Sequence, residues 1–298
     1  MGDEPMGDLV EEQARRGNGA PPWLDAATIA RYTHFERLPQ HAMVGLEPEL
    51  GLLLDAHFVG CPPQQLQAIR DEHARAVTAA AEDLLAEPGF ADDLLRAVAV
   101  TGPRIVVLGD SITADSLSWA NLLAACVTLV SALDGASVVN LAVSGSTTSE
   151  TIPMFDLVAR EEPTAVLAML GTNDGRRQGS TAGVRTVSAG ETRRNLLALQ
   201  QLTEDEVGAR FFAVAPPPMD QQRYLAVTPE ASPTRFTTED LDDTLAVLRG
   251  TLPGLIELPD LPDDGQADEF WLPDGLHPTL AGQRALLRRI AYGLARAA

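Results

Sequence analysis

The chain has 298 residues, a formal net charge of −20 at pH 7, a sequence pI near 4.5 and 45% hydrophobic residues. That charge disfavours nucleic acid and anionic membrane surfaces as partners, since both are repelled over a Debye length of about 10 Å. All 22 of its Lys and Arg residues are arginine, which excludes a P-loop lysine, a Schiff-base lysine and a Ser-x-x-Lys mechanism.

Residues 1–20 are polar and Gly-containing and are expected to form a disordered tail. They lack the apolar core of a secretory signal, and no apolar run approaches the roughly 20 residues of a membrane span, so a cytoplasmic location is expected. Residues 21–100 read as a helical module, with helices over 23–37, 48–59, 63–85 and 91–98. Its four histidines, His34, His41, His57 and His73, are irregularly spaced and match no metal-site pattern. The module is expected to dock on the rest of the chain as a lid, or to supply a homodimer surface.

From residue 101 to 298 the pattern changes to short apolar runs alternating with helical stretches. Strands are expected at 105–108, 137–143, 165–170, 211–215 and 255–258. Helices follow them at 117–133, 151–161, 191–202, 238–249 and 279–296. Five strand–helix units in succession predict a parallel sheet covered on both faces, with any ligand at the carboxyl ends of the strands. Long loops at 174–190, 216–237 and 259–273 fall on that edge. Cys61 and Cys126 are too few for a disulfide framework. Cys126 lies on the apolar stripe of a helix, and Cys61 stands in a turn before two prolines.

Four segments carry chemistry. Gly109-Asp110-Ser111 follows the first predicted strand, residues 140–148 with Gly145 at their centre run on from the second, Gly171-Thr172-Asn173-Asp174 follows the third, and Asp274-Gly275-Leu276-His277 precedes the last helix. Each alone also reads as an ordinary cap or turn. A serine hydroxyl needs a neighbouring base, and an imidazole titrates in the right range. His277 is the only histidine after residue 100, and Asp274 stands three residues before it, where a carboxylate can fix the imidazole tautomer. The Gly-x-Ser-x-Gly elbow of α/β-hydrolases is absent, as is a Gly-x-Gly-x-x-Gly fingerprint.

In their order, the four segments resemble the sequence blocks of the SGNH, or GDSL-type, hydrolases. The resemblance covers roughly residues 100–298 and leaves the first third of the chain unexplained. It implies a three-layer α/β/α sheet of flavodoxin-like strand order and a soluble, lipase-like serine esterase that acts on a small-molecule acyl ester without cofactor or metal. It makes Ser111 the nucleophile and His277 the base, with Asp274 beside it. The backbone N–H groups of Ser111 and Gly145 and the amide of Asn173 become the oxyanion donors. Asp110 is expected to brace its loop rather than react. Arg176 and Trp271 are candidates for substrate contact, and Tyr224 is a further aromatic of that kind. An acyltransferase working through the same acyl-Ser111, with a hydroxyl or amine acceptor, stands as the alternative. The third reading is a non-catalytic binding protein on the same fold.

Overall fold

The computed structural model describes residues 25–39, 41, 45, 47–179, 181, 183–258 and 267–297. The expected tail at 1–20, the start of the first helix at 23 and most of the loop after 258 lie outside the described residues. Ahead of the sheet come α1 (Ala26–Arg31), α2 (Pro48–Val59), α3 (Pro63–Ala86) and α4 (Phe90–Thr101). The expected helix at 23–37 stops at Arg31, and a single 3₁₀ turn, Phe35–Arg37, follows. Between them the Thr33 hydroxyl bonds back to the Ile29 carbonyl at 2.9 Å, a local competitor of helical continuation.

The sheet comprises β1 (Arg104–Gly109), β2 (Ser137–Asn140), β3 (Ala165–Met169) and β6 (Arg210–Val214), in the order β2-β1-β3-β6 and parallel throughout. The expected fifth strand is reduced to one parallel bridge, Ile256 against Val214. Pro253-Gly254 before it and Pro259 after it leave too short an unbroken run for more. With that bridge the order is that of a doubly wound sheet reversing between β1 and β3, where ligands sit in the crevice beyond the strand ends.

Alternate residues of β1 and β3 serve opposite faces. Ile105, Val107, Leu167 and Met169 join a large buried cluster, and Val106, Leu108, Val166 and Ala168 join a smaller one on the other side. The large cluster includes α6 (Trp119–Leu129) and α13 (Leu280–Leu294). It does not stop at residue 100: Val77, Ala80, Ala81, Leu84, Phe90, Leu94, Ala97 and Val98 from α3 and α4 are buried in it. These two helices thus form part of the layer covering one face of the sheet, and a boundary at 100/101 cuts through a continuous core. A separate small cluster, Ala30, Ala56, Val59 and Leu66, ties α1 and α2 to α3.

Between β1 and α6 lies the one-turn helix α5 (Ser111–Ala114). Ser111–Leu129 is apolar enough to span a membrane by length and composition, but it divides into α5 and α6, whose apolar residues lie mostly in the core. The expected helix at 151–161 is split by Pro153 into α7 (Thr148–Thr151), a 3₁₀ turn at Ile152–Met154 and α8 (Phe155–Arg160), as a residue without an N–H demands. Two of the expected loops carry a small antiparallel sheet, in which β4 (Arg177–Gln178) pairs with β5 (Val184–Arg185) and β7 (Thr234–Arg235). The remaining helices are α9 (Ala189–Gln201), α10 (Gln221–Val227), α11 (Thr238–Thr251) and α12 (Ala267–Phe270).

Leu84 is fully buried among sheet-facing residues, so Leu84→Ala is expected to lower the unfolding free energy by about 2–5 kcal/mol. Denaturant titration followed by tryptophan fluorescence and by circular dichroism should show one common transition, shifted as a whole. Loss of helical signal at lower denaturant, with the fluorescence transition unmoved, would mean that α3 and α4 fold apart from the sheet.

Candidate active site

Ser111 is delivered by the end of β1. The Asp110 carboxylate caps α5 by accepting the Ile112 N–H at 3.0 Å, which turns the chain sharply and leaves Ser111 at the first position of the helix. Gly109 makes that turn possible, because a Cβ there would lie 2.4–2.5 Å from the Thr113 side chain. Two longer-range ties hold the turn: Gln283 of α13 donates to the Ile112 carbonyl at 2.9 Å and accepts the Trp119 N–H at 2.9 Å. Asn140, ending β2, donates to the Thr113 carbonyl at 2.8 Å.

His277 Nε2 lies 2.8 Å from Ser111 Oγ, and its Nδ1 lies 2.7 Å from Asp274 Oδ2. The other oxygen of Asp274 accepts the N–H groups of Leu276 and His277, each at 3.0 Å, so the carboxylate folds its own loop while facing the ring. With an acceptor at Nδ1, that nitrogen carries the proton and Nε2 is free to receive one from Ser111. Burial opposes the charged imidazolium, but the hydrogen bond and charge of Asp274, with Asp115 and Asp110 beyond, outweigh it, and the imidazole pKa lies above its ordinary 6.5. Burial also acts against the Asp274 carboxylate, yet His277 and the two backbone donors hold its pKa below 3.8. Asp110 is the opposite case: burial pushes its carboxyl up to about 6.

Gly145 adopts a left-handed φ of +81°, which favours glycine. Its turn is pinned to β1 by the bond from the Val143 N–H to the Gly109 carbonyl, 3.2 Å. Asn173 is buried after β3, and its Oδ1 accepts from Arg176 Nη1 at 3.3 Å. The amide's oxygen being engaged, its NH₂ is left as the free donor. The N–H groups of Ser111 and Gly145 also donate to no protein acceptor among the described residues. The Gly145 and Asn173 turns are bound together by buried Asp174, which accepts the Thr148 N–H at 2.8 Å, the Thr148 hydroxyl at 2.6 Å and the Thr192 hydroxyl at 2.7 Å.

Ser111, His277 and Asp274 are therefore joined in one hydrogen-bonded chain, with Asn173 and Gly145 flanking the same guanidinium. Arg176 lies among them: Nη1 is the nearest atom to the space a Gly145 Cβ would take, at 3.9 Å, and no carboxylate pairs with it among the described residues. Trp271 is corrected by the structure. It is 3% exposed, packs edge-on against Phe270 with ring centroids 4.4 Å apart and belongs to the core, so its ring is not presented to a ligand. Its backbone instead bridges Pro278 and closes the loop that carries His277. Tyr224 is likewise buried, against Phe236. Sequence reasoning gave no role to Asp115, Asp174, Gln283 and Asn140, which brace these turns. Asp174 and Asn140 carried a signal, through their places in the Asn173 and Gly145 segments.

The model of the GDSL-like Lipase/Acylhydrolase family matches residues 107–285, more than half of the chain. The chain belongs to that family. The GDSL-like assignment agrees with the fold. The chain is similar to LAE5, an alpha/beta hydrolase enzyme from the metagenome of Lake Arreo, Spain, with 18% identity and a TM-score of 0.50 over 65% of this chain and 95% of that one. It is also similar to a protein of the G-D-S-L family from Desulfitobacterium hafniense, with 15% identity and a TM-score of 0.49 over 64% and 99% of the two chains. An acetyl xylan esterase, AlAXEase, aligns at 16% identity and a TM-score of 0.49 over 63% and 97%. No curated protein matches the chain. The GDSL-like match leaves the first hundred residues outside it.

The geometry makes the histidine testable without any substrate. In an NMR titration the His277 ring is expected to protonate with a midpoint above 6.5. Asp274→Asn, which removes the charge favouring imidazolium, is expected to lower that midpoint. A wild-type midpoint at or below 6.5, or no downward shift in the variant, would contradict the pairing.

Proposed function

We propose that this GDSL-like hydrolase cleaves carboxylic esters through an acyl-Ser111 intermediate. The observation that carries the reading is the unbroken chain from Ser111 Oγ to His277 Nε2 at 2.8 Å and from His277 Nδ1 to Asp274 at 2.7 Å. His277 takes the hydroxyl proton as Ser111 Oγ attacks the ester carbonyl carbon, and the carbonyl π electrons move to oxygen. Asp274 holds the ring and stabilises the imidazolium. The N–H groups of Ser111 and Gly145 and the Asn173 amide face the oxyanion, with Arg176 fixing which end of that amide points inward. Collapse of the intermediate breaks the bond to the alkoxy oxygen, which receives the proton from His277. Water then attacks the acyl carbon, giving a proton to His277; the bond to Ser111 Oγ breaks as that oxygen takes the proton back from His277, and the carboxylic acid leaves.

Because only neutral His277 accepts the proton, its raised pKa places the acid limb of kcat/KM above pH 6.5. A fluorophosphonate is expected to label Ser111 and to leave Ser111→Ala unlabelled. Asn173→Ala is expected to lower kcat about 100- to 1,000-fold with little change in KM, since the amide is engaged only once the oxyanion forms. Labelling at another serine, or a folded Asn173→Ala enzyme with full kcat, would overturn these assignments.

A further inference from the structure

The last residue of α1 and the residue after it lie outside the family match, yet they are built into the site. Arg31 pairs with buried Asp115, with Nε 2.9 Å from Oδ1, and its Nη2 donates to the carbonyl of Pro278, the neighbour of His277, at 3.1 Å. The Arg31 carbonyl accepts the Ser116 N–H at 2.8 Å. The Tyr32 carbonyl accepts the hydroxyl of Ser144, the residue before Gly145, at 2.8 Å. The Tyr32 ring lies over His277, with centroids 4.8 Å apart and planes tilted by 49°. Two consecutive residues thus hold the loop after Ser111, the Gly145 turn and the His277 loop in one arrangement.

Beside Tyr32 is a cavity of about 140 Å³, lined by Tyr32, Thr33, His34, Phe35, Leu38 and Phe58 and, from the Gly145 turn, by Val143 and Ser144. Its walls are chiefly apolar, and an apolar cavity near this size holds a benzene ring. Phe35 and Phe58 meet edge to face, with centroids 5.6 Å apart, and Phe58 remains 64% exposed at the rim. A large exposed aromatic ring beside an apolar cavity suits a hydrophobic ligand better than water. Position selects which part of the ester it takes. His277 must hand its proton to the departing oxygen, so the alcohol group lies on the His277 side of the reacting carbon. Tyr32 meets that histidine ring and also lines the cavity, and Ser144 on the cavity's other flank adjoins Gly145, so the cavity lies next to both sides of the reacting centre.

We propose that this cavity is the subsite for the alcohol group of the substrate, and that it takes an apolar alcohol about the size of benzyl. The assignment rests on the Ser111–His277 reading above. It makes the amino-terminal helices the source of alcohol specificity in a protein whose reacting residues all come later in the chain.

The test uses the full-length enzyme and two ester series: acetates of methyl, butyl and benzyl alcohol, and methyl esters of acids of increasing length. In wild type, kcat/KM is expected to rise from methyl to benzyl acetate. Phe58→Ala, which removes a mostly exposed ring, and Leu38→Trp, which fills the cavity, are each expected to cut the benzyl-to-methyl ratio about 10-fold, the scale of a lost apolar pocket contact. Both should leave the ratios among the methyl esters as in wild type. A change confined to the methyl-ester series would assign the cavity to the acyl group, and no change in either series would leave it no role; both outcomes overturn the proposal. Protection supplies a readout independent of turnover. Benzyl alcohol is expected to slow fluorophosphonate labelling of Ser111, with protection about 10-fold weaker in Phe58→Ala, and equal protection of both proteins would also overturn it. If Ser111→Ala kept wild-type ester turnover, the catalytic reading itself would fall, and that result is distinct from any change in alcohol preference.

Discussion

A single hydrogen bond, 2.8 Å from Ser111 to His277, sets the demands met by the rest of this structure. It joins residues 166 positions apart, one at the end of a central strand and the other in a loop that carries no strand of its own. A serine hydroxyl moved by 1 Å loses much of its reactivity toward a bound carbonyl. Each partner is accordingly fixed several times over. Asp110 and Gln283 hold the helix of Ser111, and the backbone bridge from Trp271 to Pro278 closes the loop of His277. Arg31 then links the two by touching Asp115 on one side and Pro278 on the other.

The doubly wound sheet explains why residues far apart in sequence can meet at all. Parallel strands place their carboxyl ends on one edge, and the reversal of strand order between β1 and β3 opens a crevice there. Ser111 follows β1 and Asn173 follows β3, so the serine and the amide flank the crevice. Gly145 enters from the outer side, beyond β2. The buried Asp174 network fastens the Gly145 turn to the Asn173 turn, so that the free N–H groups stand in fixed relation before any substrate arrives. Preorganised donors of this kind stabilise an oxyanion without a cost of reorientation during the reaction.

The central strands and the segments that bring Ser111, Asp274 and His277 within hydrogen-bond reach of one another were legible because both are local. Apolar runs such as Ile105–Val106–Val107–Leu108 report burial on both faces, and turn segments keep their chemistry within three or four residues. Helices with clear boundaries were legible too, as with α2 and most of α3. What sequence could not reveal depends on distance. The fifth strand looked as apolar as the others but lacked length between its prolines. Trp271 looked like a ligand-facing aromatic, and only the packing of Phe270 and the main cluster shows it to be core. The amino-terminal helices resembled a separate module because periodicity reveals an apolar face without revealing what covers it. Arg31 and Tyr32 carry no local mark of their contacts with Asp115 and His277.

The claim at the centre of this account is that an ester passes its acyl group to Ser111 before water receives it. Rapid mixing of enzyme with an activated ester, followed by acid quench and intact-mass measurement, tests it most directly. Release of alcohol is expected to begin with a burst equal to the enzyme present. Over the same interval the protein should gain the mass of one acyl group, and fragmentation should place that group on Ser111. Hydrolysis at the full steady rate, with no burst, no adduct at any quench time and no acyl group on the Ser111 fragment, would contradict it.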